Sequence, residues 1–143
     1  MSEVINHLLR ESKSSETPNS KPLLPSDPAE RKKYPIATGV LDYFPSALLQ
    51  IAYVSYLGNK QHNPGEPLHW ARGKSTDQTD TTIRHYMEGT ESSDGNVTFH
   101  LAKDSDGSYH LAKECWRALA AFQEALEAEG APLARGARLP EKK

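Results

Sequence analysis

The chemically densest part of the chain is residues 58–75, Gly58-Asn-Lys-Gln-His-Asn-Pro-Gly-Glu-Pro-Leu-His-Trp-Ala-Arg-Gly-Lys-Ser75, which holds His62, Glu66, His69, Trp70, Arg72 and Lys74. Pro64, Gly65, Pro67 and Gly73 oppose a continuous helix or a central strand. Leu68 and Trp70 are residues that an ordered loop buries and a disordered tail lacks, so an ordered site loop is expected. Arg72 and Lys74 flank Gly73 just before Ser75-Thr76-Asp77, a good helix start. A guanidinium fork, an ammonium and the N–H groups of a helix N-terminus together suit a phosphate. The plain alternative is a solvated basic rim with a glycine that only makes the turn.

Further along, Asp77, Asp80 and Arg84 share one helical face, with His85 beside them. These residues read either as a surface Asp–Arg ladder or as carboxylates that hold a divalent cation while Arg84 or His85 faces a phosphate. Glu91, Asp94, Asp104 and Asp106 are turn formers or complete that metal site. His110 and Glu114 stand four apart, a spacing at which imidazole and carboxylate can share one ion, or at which a capping histidine lies above an exposed glutamate.

Three helices must position these groups. Phe44, Ala47, Leu48, Ile51, Val54 and Ser55 recur at three- and four-residue spacing, with Pro45 near the start and Gly58 after the end, which predicts a core helix over 42–57. It carries no charge after Asp42, and that predicts burial on most sides, including a subunit contact. A second helix is expected over 76–87. A third, over 108–129, carries the stripe Leu111, Cys115, Leu119, Phe122 and Leu126 and stops at Gly130. Between the last two, Asp94-Gly95 and Asp106-Gly107 are turn signals around Val97, Phe99 and Leu101, the pattern of a short strand or hairpin arm. Residues 1–33 divide into an amphipathic arm over 1–10 and a Pro- and Ser-rich linker, with one helical turn capped by Asp27 and begun by Pro28. Residues 34–130 form the domain, and 131–143 read as a basic mobile tail. The expected fold is mainly α, a small helical bundle of three core helices with a long ordered loop and a short β-like insertion.

At 143 residues the chain has the length of one domain, and its hydrophobic fraction of 36% predicts that part of it forms no core. A net charge of −2 argues against general nucleic-acid binding and leaves small anions as ligands of local patches. One cysteine, no signal-peptide pattern and no run of about 18 apolar residues lead to the expectation of a cytoplasmic protein without membrane contact.

Several phrases together, Gly58-Asn-Lys-Gln-His62, His69-Trp70-Ala-Arg-Gly73-Lys74, Arg84-His85, Asp106-Gly107-Ser-Tyr-His110-Leu-Ala-Lys113 and Trp116-Arg117-Ala-Leu119, resemble the phage and bacterial dATP/dGTP diphosphohydrolase-domain family over residues 34–126. The resemblance implies a nucleotide pyrophosphohydrolase of MazG-like activity, dependent on Mg²⁺ or Mn²⁺ and acting on dATP- or dGTP-like nucleotides. MazG-like enzymes hold magnesium with paired carboxylates from two facing helices, and the helix 42–57 has no such pair. The expected metal ligands are therefore Asp77, Asp80, Glu91 and Asp94. His85, His110 and Glu114 are the expected catalytic groups. His62, Glu66 and His69 are expected to line the substrate site, with Arg72, Lys74 and Arg84 on the phosphates and Trp70 on the base. A homodimer or homotetramer is expected. The alternatives are a protein of the same fold that sequesters a nucleotide or nucleotide-derived signal without turnover, and a structural protein in which the histidines only satisfy loop hydrogen bonds.

Overall fold

In the computed structural model, which describes residues 21–141, a one-turn helix α1 (Pro28–Arg31) leads through a π-helical turn (Ala37–Leu41) into α2 (Pro45–His62). A loop containing the two-residue strand β1 (Trp70–Ala71) precedes α3 (Gln78–Glu88). The hairpin β2 (Thr90–Ser93) and β3 (Asn96–Phe99) follows, then α4 (His110–Ala128) and β4 (Ala137–Arg138). The fold is mainly α, as expected. The arm over residues 1–10 and the first part of the linker lie outside the described residues.

Local sequence accounts for each boundary. Asp27 accepts the Glu30 N–H with Pro28 in the first turn of α1, as its sequence predicts. Pro45 opens α2, but Gly58 does not close it, because the helix continues for another turn to His62. The loop therefore begins at Asn63, whose side chain, bonded to Asn59 and to the His69 carbonyl, ties the helix end to the loop. In the hairpin, Asp94 and Gly95 have φ of 51° and 76°, the left-handed pair that a two-residue turn requires. Tyr86 meets Phe99 edge-to-face and holds the hairpin against α3.

α4 packs against both α3 and α2. Its buried apolar residues are Ala112 and Ala120, not the predicted stripe, since Leu119, Phe122 and Leu126 are 53%, 63% and 42% exposed. Small side chains bring the helices close. Gly89 shows the same principle, because a Cβ there would lie 3.0 Å from Leu111 Cδ2 and 3.1 Å from the His85 carbonyl oxygen. α2 is likewise exposed rather than sheathed: among the described residues Leu49, Tyr53 and Tyr56 on it, and Tyr43 and Phe44 just before it, are exposed.

The C-terminal segment is also placed differently from a mobile tail. β4 runs parallel to β1, the Trp70 and Arg72 N–H groups donate to the carbonyls of Gly136 and Arg138, and Pro140 covers Gly73. A loop with no regular partner of its own thus gains backbone hydrogen bonds from the far end of the chain.

Candidate metal centre and cleft

Two helices bring their histidines together. His85 lies near the C-terminal end of α3 and His110 opens α4, and their Nδ1 atoms are 3.1 Å apart. The side chains are 14% and 12% exposed. Glu88, one turn beyond His85, sets its Oε2 2.9 Å from His110 Nδ1 and 3.6 Å from His85 Nδ1. An oxygen of Asp104 completes a group in which one ligand atom from each of His85, Asp104 and His110 lies within 4.8 Å of the others. This is the one such metal-ligand cluster among the described residues.

Asp104 reaches this place by turn chemistry. After the hairpin the chain folds back so that the Asp104 N–H donates to the Ser108 carbonyl and the His110 N–H to the Ala102 carbonyl. Asp106 accepts from the N–H and hydroxyl of Ser108, a fully buried residue, in an Asx-type turn. Lys113, one turn into α4, bridges both carboxylates, 2.5 Å from Asp104 and 2.8 Å from Asp106. Burial opposes the Lys113 charge, but the two carboxylate bonds prevail and its pKa lies above the ordinary lysine value. Lys113 likewise holds Asp104 below the usual carboxylate range, and against burial it joins Ser108 in bringing Asp106 down to about 2. Burial, followed by the charges of Lys113 and His110, lowers the His85 pKa, so the His85 imidazole is neutral near pH 7 and its nitrogen lone pair is available to a metal.

Two imidazoles and a carboxylate form a donor set for a first-row divalent ion. Nitrogen atoms about 2.0–2.1 Å from one ion sit close to 3 Å from each other, and the observed 3.1 Å separation matches that. Mg²⁺ prefers oxygen ligands throughout, so two imidazoles suit a transition-metal ion better than Mg²⁺.

The expected metal ligands lie elsewhere. Asp77 accepts from Ser75, Thr81 and Arg84 at the start of α3, bonds that hold its carboxyl well below the usual range. Asp80 is exposed in the first turn of α3, while Glu91 and Asp94 ride outward on the hairpin. Glu114 is half-buried on α4, and burial pushes its carboxyl up, but it stays outside the cluster.

Most of the expected substrate residues hold the loop instead. Arg72, 8% exposed, lies 3.6 Å above the Trp70 ring and pairs with Glu127 at 2.8 Å and Glu124 at 3.5 Å. It staples the loop to α4 and has no fork left for a phosphate. Trp70 carries Arg72 on its ring and meets Trp116 edge-to-face, so it is engaged within the protein while it borders the cleft. His69 is 2.9 Å from the Pro67 carbonyl and 3.6 Å from Glu66, which also lies 3.6 Å from Arg138. Arg84 is spent on Asp77 and Thr81. His62 ends α2 with an exposed side chain, and its carbonyl, with Asn63, accepts from Lys74.

A cleft of about 750 Å³ opens between α2, the 68–75 loop and the α3–α4 pair. Ile51, Val54, Leu57 and Trp116 form an apolar wall, and His85, Asp106 and Lys113 reach it from the metal centre. Trp116 is fixed by a 2.8 Å bond from its Nε1 to the Ser55 hydroxyl. The volume suits a ligand of nucleotide size. Asp104 stood in the sequence only as one acid among four. Glu88 and Lys113 gave no signal of their roles, because their partners are side chains from other elements.

Fold and site together define a small α-helical domain with a histidine–carboxylate cluster at the edge of a largely apolar cleft. Compared with protein-family models, with curated proteins and with solved structures, the chain has no match in any of the three.

Proposed function

We propose that the protein is a metal-dependent phosphohydrolase of purine nucleotides, a pyrophosphohydrolase acting on dATP- or dGTP-like substrates. The observation that carries this reading is the His85–Asp104–His110 group beside a nucleotide-sized cleft. The resemblance in sequence supports the choice of substrate.

His85, His110 and Asp104 would hold a divalent ion, Mn²⁺ in preference to Mg²⁺. Such an ion supplies Lewis-acid polarisation of a phosphoryl oxygen and a bound water of lowered pKa. Lys113 keeps Asp104 ionised and in place, as an outer partner of a metal ligand does. Glu88, whose Oε2 lies 2.9 Å from the same His110 Nδ1, holds that nitrogen in the metal-free protein and, more than half exposed, can accept a proton at Oε2 once an ion takes its place. The wall of Val54 and Trp116 takes the base and excludes water from one side of the cleft.

The same reading treats the molecule as a homodimer. Between Tyr34 and Asn59 the only charged residue is Asp42, and the exposed Ile36, Tyr43, Leu49 and Tyr56 make an apolar surface that a second copy can cover without burying charge.

The test is chromatography of dGTP and dATP after incubation with protein stripped of metal and reloaded with Mn²⁺ or Mg²⁺. Pyrophosphate and monophosphate are expected with Mn²⁺, and neither with His85→Ala. Nucleotide that is bound yet recovered unchanged would establish the sequestering alternative. No binding at all would leave the structural one.

A further inference from the structure

Arg117 is a half-buried cation without an acidic partner among the described residues. One Nη donates to the Ser75 hydroxyl at 2.7 Å and to the Gln78 side-chain carbonyl at 3.0 Å, both neutral acceptors. Lys74 is in the same condition: its ammonium donates to the His62 carbonyl and to Asn63, and no carboxylate of the described residues pairs with it. Both side chains, with Ser75 and Gln78, line the cleft. The Asp77 carboxylate, whose charge reaches Arg117, accepts a hydrogen bond from the Ser75 hydroxyl and is itself paired with Arg84. Among the described residues, Lys74 and Arg117 line this end of the cleft, with the Arg84–Asp77 pair beside it.

An unpaired guanidinium is costly to bury, and burial lowers the Arg117 pKa. Of its five N–H donors, two are committed to Ser75 and Gln78, and those contacts set the direction of the fork. Arg72, the other arginine at the cleft margin, is consumed by Glu124 and Glu127. The anion-binding chemistry suggested by the basic loop therefore passes from Arg72 to Arg117, a residue of the facing helix.

The placement also gives a direction. His110 and Arg117 are seven residues apart on α4, close to two turns, so they share a face about 10 Å apart along the axis. Lys113 stands between them. A single phosphate cannot touch both ends of this row, whereas a polyphosphate chain can.

We infer that Lys74 and Arg117 form an anion subsite for the phosphate chain of a nucleoside polyphosphate, at the end of the cleft away from the His85–His110 pair. The inference rests on the nucleotide reading for its ligand class, but the subsite itself needs no metal and no turnover. A free inorganic polyphosphate has the same chemistry, and the experiment separates the two sources.

The test is calorimetric titration of the full-length, metal-stripped protein with inorganic tripolyphosphate, orthophosphate, dGTP and deoxyguanosine. Wild type is expected to bind tripolyphosphate and dGTP at least tenfold more tightly than orthophosphate and deoxyguanosine. Arg117→Gln and Lys74→Gln should each weaken both tight ligands tenfold or more, while Arg117→Lys recovers part of the loss and Glu91→Gln, on the outward hairpin, changes either affinity less than twofold. Tighter binding of dGTP than of tripolyphosphate assigns the subsite to a nucleotide; equal binding keeps the subsite and assigns it to free polyphosphate. If Arg117→Gln does not fold, the exposed Lys74→Gln carries the test. Tripolyphosphate that fails to bind wild type, or binds both glutamine variants within twofold of wild type, overturns the inference. Tight binding through Arg117 with no Mn²⁺-dependent turnover overturns the hydrolase reading alone.

Discussion

His85 Nδ1 and His110 Nδ1, 25 residues apart in the chain, are 3.1 Å apart in space, and at that distance only one of them can carry a proton toward the other. The pair is either a hydrogen bond between neutral rings or two ligands on one ion. Both states require that the rings are not doubly charged.

Metal affinity should therefore depend on pH. The His85 pKa is lowered in the folded chain, so the neutral ring is favoured and protonation opposes both folding and metal binding. The stabilisation from neutral His85 is complete above the ordinary value near 6.5 and declines as pH falls from there through the lowered folded value. Calorimetric titration with Mn²⁺ should show steady affinity at pH 7–8 and a loss that sets in only below about pH 6.5, because the lowered pKa delays protonation of His85. Affinity that stays constant down to the lowest pH at which the protein remains folded would remove His85 from the ligand set.

Arg72 should affect stability rather than nucleotide affinity. Its side chain is 8% exposed and pairs with the largely buried Glu127, so Arg72→Ala leaves a carboxylate without its cation and should cost about 3–5 kcal/mol. Lysine lacks the planar fork that stacks on Trp70, so Arg72→Lys should recover only part of this. Urea unfolding measures both variants. A fully stable Arg72→Ala protein with weakened nucleotide binding would return Arg72 to the phosphates.

Lys113→Met should lower stability at neutral pH and flatten its dependence on acid. Asp106, at about 2, binds its proton less readily when folded than when unfolded, so its contribution is complete above about 4 and is lost as pH falls toward 2. Without Lys113 the Asp104 and Asp106 carboxyls titrate nearer their ordinary values, and that pH-dependent contribution shrinks. The expected result is lower stability at pH 7, a smaller further loss between pH 4 and pH 2, and weaker Mn²⁺ binding as Asp104 is released. Acid titration followed by circular dichroism reads the first two.

Gly73→Ala probes the docking of the C-terminal strand. Gly73 has φ of +79°, and an added Cβ would come 2.9 Å from Pro140 Cγ. Left-handed backbone costs a non-glycine residue about 1–2 kcal/mol, and relief of the contact requires Pro140 to move. Hydrogen exchange at the Trp70 and Arg72 amides, which bond to Gly136 and Arg138, should rise first.

Leu49→Lys, 71% exposed on α2, should convert a dimer to a monomer with little change in monomer folding. Light scattering of wild type and variant measures it, and a monomeric wild type would end the dimer proposal.

The positions of the helices and the hairpin were legible in the sequence because their causes are local. Pro45, the three- and four-residue apolar spacing of α2 and α4, and Asp94-Gly95 each act within a few residues of chain. Gly58 misled as a stop, since one glycine weakens a helix by about 1 kcal/mol and the Asn59 and Asn63 contacts with the loop offset that. The candidate centre was legible only in pieces. His85 and His110 stood out by residue type, but the carboxylate that joins them was decided by the 102–109 turn, which no spacing encodes. Arg72 and Arg117 make the same point. The sequence places Arg72 in the basic loop and gives Arg117, far along the chain in α4, no role. Glu127, brought to Arg72 by the packing of α4, decides which one is neutralised and which keeps its charge for the cleft.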